Sequence, residues 1–246
     1  MSRVTKTAAF AIAFAIAGPV AQAVETTDDG DGRSWRWSPL GIGIAAPIQL
    51  PFMSSDIYGI RLGGLFGYNA DVYGLDAGLV EVSSGSMAGL QAAAFTWTGG
   101  NAYGVQCAGL ANVVDGFFYG IEAAPINVVW GEFWGLQAGV VNYTASMAGI
   151  QLGGFINWNN SVSGGWQTAI ANADQEDFYG FAGGLVNYAG KFVGLQLGLF
   201  NTAYEASGLQ LGLVNAAGRM RGVQIGAINL IADSVLPVMV IANASF

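Results

Sequence analysis

Eleven polar side chains stand two places after a regularly spaced glycine: Arg61, Asp76, Gln91, Gln106, Glu122, Gln137, Gln151, Gln167, Gln196, Gln210 and Gln224. Only Ala182 interrupts the series. Amides both donate and accept hydrogen bonds, so a wall of them suits neutral or weakly selective solutes in a pore. The competing expectation is a ladder of amides bonded across strands, which stiffens a wall and transports nothing. Arg61, Asp76 and Glu122 replace Gln and, as lumen charges, would bias ion selectivity. Reaction chemistry finds little support. The chain has no histidine, which removes serine–histidine hydrolysis and histidine-rich metal sites. Cys107 is the only cysteine, so no intrachain disulfide forms, and it stands where other units carry Leu or Ala. Asp174, Glu176 and Asp177 fall in one predicted turn but lack the spacing of a calcium loop. No acid–base pair or nucleophile constellation recurs, so no enzyme, metal or cofactor is expected.

The elements that must position these side chains are short repeats. The unit GLQLGLFN at Gly194 to Asn201 returns as GLQLGLVN from Gly208 and GVQIGAIN from Gly222. Weaker copies begin at Gly59, Gly74, Gly89, Gly104, Gly120, Gly135, Gly149, Gly165 and Gly180, at a spacing of 14 to 16 residues. Such a unit has room for one strand and one turn. The residue after each glycine is apolar, as at Ile60, Leu136 and Leu195, while the next is polar. Adjacent strand residues face opposite sides, so each unit has an apolar face and a Gly/Gln face. The asparagines seven places on, among them Asn142, Asn187 and Asn201, read as turn-starting residues that bond nearby backbone. Phe95, Phe155 and Phe200 fall on the inward face and are expected to help fill an interior.

Composition points to a membrane. Hydrophobic residues make up 53% and charged residues 10% of the 246. No apolar run after the N-terminus reaches the ~18 residues a spanning helix needs. A closed barrel is then the solution that leaves no open sheet edge in lipid. Residues 1–23 read as a signal peptide: Arg3 and Lys6, an apolar stretch from Ala8 to Ala17, then Ala21-Gln22-Ala23. Its removal leaves 16 acidic and 8 − 2 = 6 basic residues, a balance opposed to nucleic-acid binding. Residues 24–39 read as a polar, acidic lead-in, and residues 40–246 as the barrel.

Taken together, the pattern predicts an all-β, up-and-down antiparallel transmembrane β-barrel of about 14 strands with short turns. In that meander Arg61 and Asp76 lie near opposite strand ends, and no salt bridge is assigned to them. Tyr58, Tyr73, Tyr103, Tyr119, Trp134 and Tyr179, each just before a repeat glycine, would form aromatic belts at both membrane interfaces. The terminal Phe246 on an alternating last strand reads as a signal for the outer-membrane assembly machinery. The GLQLGLxN units resemble those of the bacterial surface-repeat proteins first described in leptospires. The match is clear over Gly180 to Asn229 and degenerate upstream. The resemblance implies a bacterial surface or envelope location and no activity. The expected role is a passive outer-membrane pore for small solutes, with the lipid bilayer and the assembly machinery as partners. The competing reading is a structural or interaction protein of the surface with a closed interior. A further alternative is a secreted β-sheet assembly.

Overall fold

Each 14–16-residue unit folds as one full coil rather than as one membrane-crossing strand. The computed structural model describes residues 37–46 and 48–245. Over these the chain winds into a β-solenoid of about 13 turns with stacked parallel strands. The antiparallel barrel, and with it the porin-like and transmembrane reading, is overturned by the strand register. Val186–Leu197 pairs in parallel with Phe200–Leu211, aligning Asn187 with Asn201, Gly194 with Gly208 and Gln196 with Gln210. The next pairing continues the same columns to Asn215, Gly222 and Gln224. A meander would set neighbouring units in opposite directions; here every repeat position lies on the same position of the next coil.

Flattened coils follow from the local sequence. One wall runs from two residues before the glycine to three after it. A tight tip follows, then a second wall through the asparagine, then a polar edge that returns to the next coil. The repeat glycines form one column, with φ between 111° and 153° at all twelve. L side chains rarely adopt that region. Side chains on the two walls alternate, so the residue two before the glycine points inward. Ile57, Val72, Met87, Phe118, Phe133, Phe178 and Phe192 occupy that column and are fully buried. Phe118 and Phe133 stack at 5.6 Å, as do Phe178 and Phe192 at 6.2 Å.

Two end strands depart from the parallel stack. Ile48–Leu50 pairs antiparallel with Trp37–Ala45, and Val238–Ser245 pairs antiparallel with Val214–Ile231. These reversals end the parallel register at both ends. The signal-peptide reading, the lead-in as far as Arg36, and Phe246 lie outside the described residues.

Candidate functional site

The eleven Gln-position side chains do come together, but as one buried column inside the coils rather than two rings around a lumen. All eleven are at most 2% exposed. Gln91 Nε2 donates to Asp76 Oδ2 (2.7 Å) and Gln106 Nε2 to Gln91 Oε1 (2.8 Å). Gln137 Nε2 donates to Glu122 Oε2, and Gln151 Nε2 to Gln137 Oε1, each at 2.8 Å. The column breaks at Ala182, where Gln167 turns instead to Asp174. It resumes as Gln210 to Gln196 (2.7 Å) and Gln224 to Gln210 (2.8 Å). The amides are spent on one another, which is the stiffening ladder and not a pore lining.

A second ladder was missed as such in the sequence. Asn112, Asn127, Asn142, Asn157, Asn172, Asn187, Asn201, Asn215 and Asn229 are buried one above another. Each Nδ2 donates to the Oδ1 of the next, over 2.8–3.1 Å. From Asn127 to Asn215 the second N–H caps a wall carbonyl of the following coil, as Asn187 does to Leu197 O (3.0 Å) and Asn201 to Leu211 O (2.8 Å). The asparagines do not start turns: each lies in a strand just after the tip, and the carbonyl so capped belongs to the next coil. The signal was an identical amide at one repeat position, which pairs with itself only in a parallel stack.

Arg61 and Asp76 form a buried, two-pronged ion pair: Nε to Oδ1 at 2.6 Å and Nη2 to Oδ2 at 2.5 Å. Parallel stacking puts them on adjacent coils in register, where the meander held them apart. Arg61 Nη1 also donates to Val82 O (2.9 Å), and Nη2 lies 3.1 Å from Glu81 Oε2. Burial lifts the Glu81 carboxyl to about 8, against the pull of Arg61 and with the Asp76 charge adding to the rise. Phe155 and Phe200 point outward, while Phe95 is buried. In the acidic trio, Asp174 is buried against Asn159 and Gln167, whereas Glu176 and Asp177 are not. Among the described residues no cluster of metal-ligating side chains occurs.

Glu122 shows how the ladder tolerates an acid. Burial pushes its carboxyl to about 8, with the Gln137 hydrogen bond opposing. Gln106 Oε1 and Glu122 Oε1, on adjacent coils, both lack a partner. A protonated Glu122 supplies an O–H where a Gln amide would supply an N–H. Asp174 is raised to about 7, again by burial. A carboxyl whose folded pKa is raised holds its proton more tightly in the folded state. Its stabilisation is complete below the unfolded pKa of about 4 and is lost as pH rises through the folded value. Thermal stability should therefore fall between pH 5 and 9. Glu122→Gln should be close to neutral at pH 5 and stabilising by a few kcal/mol, on the order of magnitude, at pH 9. Parallel pH series of wild type and variant check this; a variant as pH-dependent as wild type and no more stable at pH 9 would reject the protonated ladder.

The outer surface is divided. None of the sixteen described charged residues lies at the tip; eleven that are not buried all sit at or beside the polar edge, among them Asp71, Asp177, Glu205 and Arg219. Arg219 bridges Glu205 (2.8 Å) and Asp233 (3.2 Å) along that edge. The opposite tip is aliphatic. The six belt aromatics form one column on one wall, with Tyr58 stacked on Tyr73 at 4.9 Å, instead of two belts at opposite membrane surfaces. Comparison with known proteins returns no matching family model, no matching curated protein and no matching solved structure.

Proposed function

We propose that the chain is a structural or interaction protein of a bacterial cell surface, a stiff repeat scaffold that meets its partners through its outer faces. The observation that carries this is the filled interior. Buried side chains of the two ladders, of the Arg61–Asp76 pair and of the apolar column fill the coils, so a solute has no path along the axis. Repeat stacks of this kind offer long, regular lateral surfaces. The surface location rests on the leader-like residues 1–23 and on the resemblance of the GLQLGLxN units to bacterial surface repeats.

Two measurements test this reading. In planar bilayers the full chain should give no stepwise conductance, and Gln196→Leu, Gln210→Leu and Gln224→Leu should lower stability without touching any current. On intact bacteria, added protease should remove the chain while a periplasmic marker survives. Reproducible channel steps would overturn the scaffold reading, and full protection from protease would overturn the surface location.

A further inference from the structure

The outer surface grades from charge through aromatic rings to aliphatic side chains, in the same order on both walls. On the glycine wall the order runs from Asp71 through Tyr73 to Leu75. On the asparagine wall Tyr143, Trp158 and Tyr188 stand between the polar edge and the aliphatic tip. The tip column, two residues before the asparagine, contains no polar side chain in any of its twelve coils. Its exposed members include Leu110, Val140, Phe155, Leu185, Leu199 and Leu213. Resting on the solenoid scaffold proposed above, we infer that this edge lies lengthwise in one leaflet of a lipid bilayer. The aromatic shoulders would sit at headgroup level and the charged edge in water.

Three observations favour lipid over another occupant. The first is depth. Leu195 to Leu197 is two extended steps, about 7 Å at ~3.3 Å each, and the tip at Gly198–Leu199 adds to it, a depth that stays within the ~15 Å of one leaflet's hydrocarbon. The second is backbone satisfaction, without which no turn survives in hydrocarbon. At the tip Gly198 N donates to Leu211 O (3.0 Å), while Leu213 N and Val214 N donate to Leu199 O (3.0 and 2.8 Å). Asn201 Nδ2 covers Leu211 O from inside (2.8 Å). The third is coverage. A second copy pressed tip to tip would shield Leu199 but leave wall residues such as Ile60, Leu90 and Ile150 in water, whereas lipid covers the tip and both walls. Aromatic rings bordering an aliphatic band are the arrangement proteins adopt at the headgroup boundary. Among the described residues the unburied charges are eight acidic and three basic, 3 − 8 = −5, so attraction to anionic headgroups does not drive the contact.

The test is flotation of the full chain with phosphatidylcholine vesicles after dilution from denaturant, at low and high salt. A companion variant carries Leu185→Lys, Leu199→Glu and Leu213→Lys. Alternating signs on adjacent coils keep the stack paired, as Lys191, Glu205 and Arg219 already do on the opposite edge. Wild type should float at both salt concentrations, and the variant's floated fraction should drop roughly tenfold or more, since charge at hydrocarbon depth is costly. Brominated lipid acyl chains should quench wild-type tryptophan emission, a readout independent of the variant's folding. Wild type that shows a β spectrum but neither floats nor is quenched would overturn the lipid assignment. So would a folded variant that floats as well as wild type, or a wild-type dimer that stays out of the vesicle fraction. A wild type without a β spectrum would overturn the solenoid scaffold itself, and the lipid assignment with it.

Discussion

Gly135→Ala should abolish folding or cost at least about 3 kcal/mol, whereas Gly109→Ala should be close to neutral. Gly135 sits in the corner column at φ 137°, in the middle of the stack. A methyl group there would lie closer than 3.0 Å to the carbonyl oxygen of Gly120, its counterpart one coil earlier. Both problems are backbone problems. The positive φ disfavours any L side chain, and the colliding oxygen belongs to a coil that is itself fixed by its neighbours. Relief would require the two coils to separate, which breaks the parallel hydrogen bonds on either side. Gly109 has no such constraint: its φ is unremarkable, and the nearest atom to an added Cβ is Ala94 Cα at 3.7 Å. Urea unfolding followed by tryptophan fluorescence compares the two. Equal stability of the two variants would show that the corner column does not bear the coil geometry described.

The periodicity was legible from the start, and so was the alternation that turns Gln inward and Leu outward. What the sequence left open was the direction of the next unit. A transmembrane barrel and a parallel solenoid share a short repeat, an aliphatic outer face and a polar inner one. In Gly194 to Asn201 both assign Leu195 to the outside and Gln196 to the inside. They differ in what Gln196 meets. In a meander its neighbours are residues from the opposite end of the adjacent units; in a solenoid its neighbour is Gln210. Runs of identical amides at one position therefore held the answer, since an amide column gains its bonds only when like lies on like. The substitutions carried the same message. Arg61 one coil before Asp76 is an ion pair in a parallel stack, and Glu122 is an acceptable Gln in a column when it keeps its proton. The apolar exterior concealed this, because most solenoids place aliphatic residues inside, and Phe155 and Phe200 were assigned to an interior they do not enter. Here the amides bond to one another along the stack, so the interior can be polar, leaving the aliphatic residues to face outward.

The asparagine ladder should therefore be the less forgiving of the two columns, and its centre less forgiving than its end. Asn187→Leu keeps the volume nearly unchanged but removes one hydrogen bond each from Asn172 Nδ2, Asn201 Oδ1 and Leu197 O. Asn172 Nδ2 keeps Gly183 O and Leu197 O keeps Gly184 N, so Asn201 Oδ1 is the atom left bare. One buried oxygen left unpaired and two further lost bonds cost together about 2–3 kcal/mol. Neither water nor another side chain can replace the amide, because Asn187 is fully buried. Asn229 ends the column. It accepts from Asn215 (2.8 Å) and donates to Gly226 O (2.8 Å), so Asn229→Leu disturbs one interface between coils rather than two. In a stack whose stability is the sum of coil and neighbour terms, a central defect also divides the molecule. Asn187→Leu should unfold in two steps, with the halves on either side melting separately. Asn229→Leu should retain one transition at a slightly lower midpoint. Denaturant titrations read at two wavelengths distinguish these outcomes. A single cooperative transition in Asn187→Leu, displaced no further than that of Asn229→Leu, would mean that the amide column follows the coil geometry without sustaining it. Stability would then rest on the glycine corners and the backbone ladders alone.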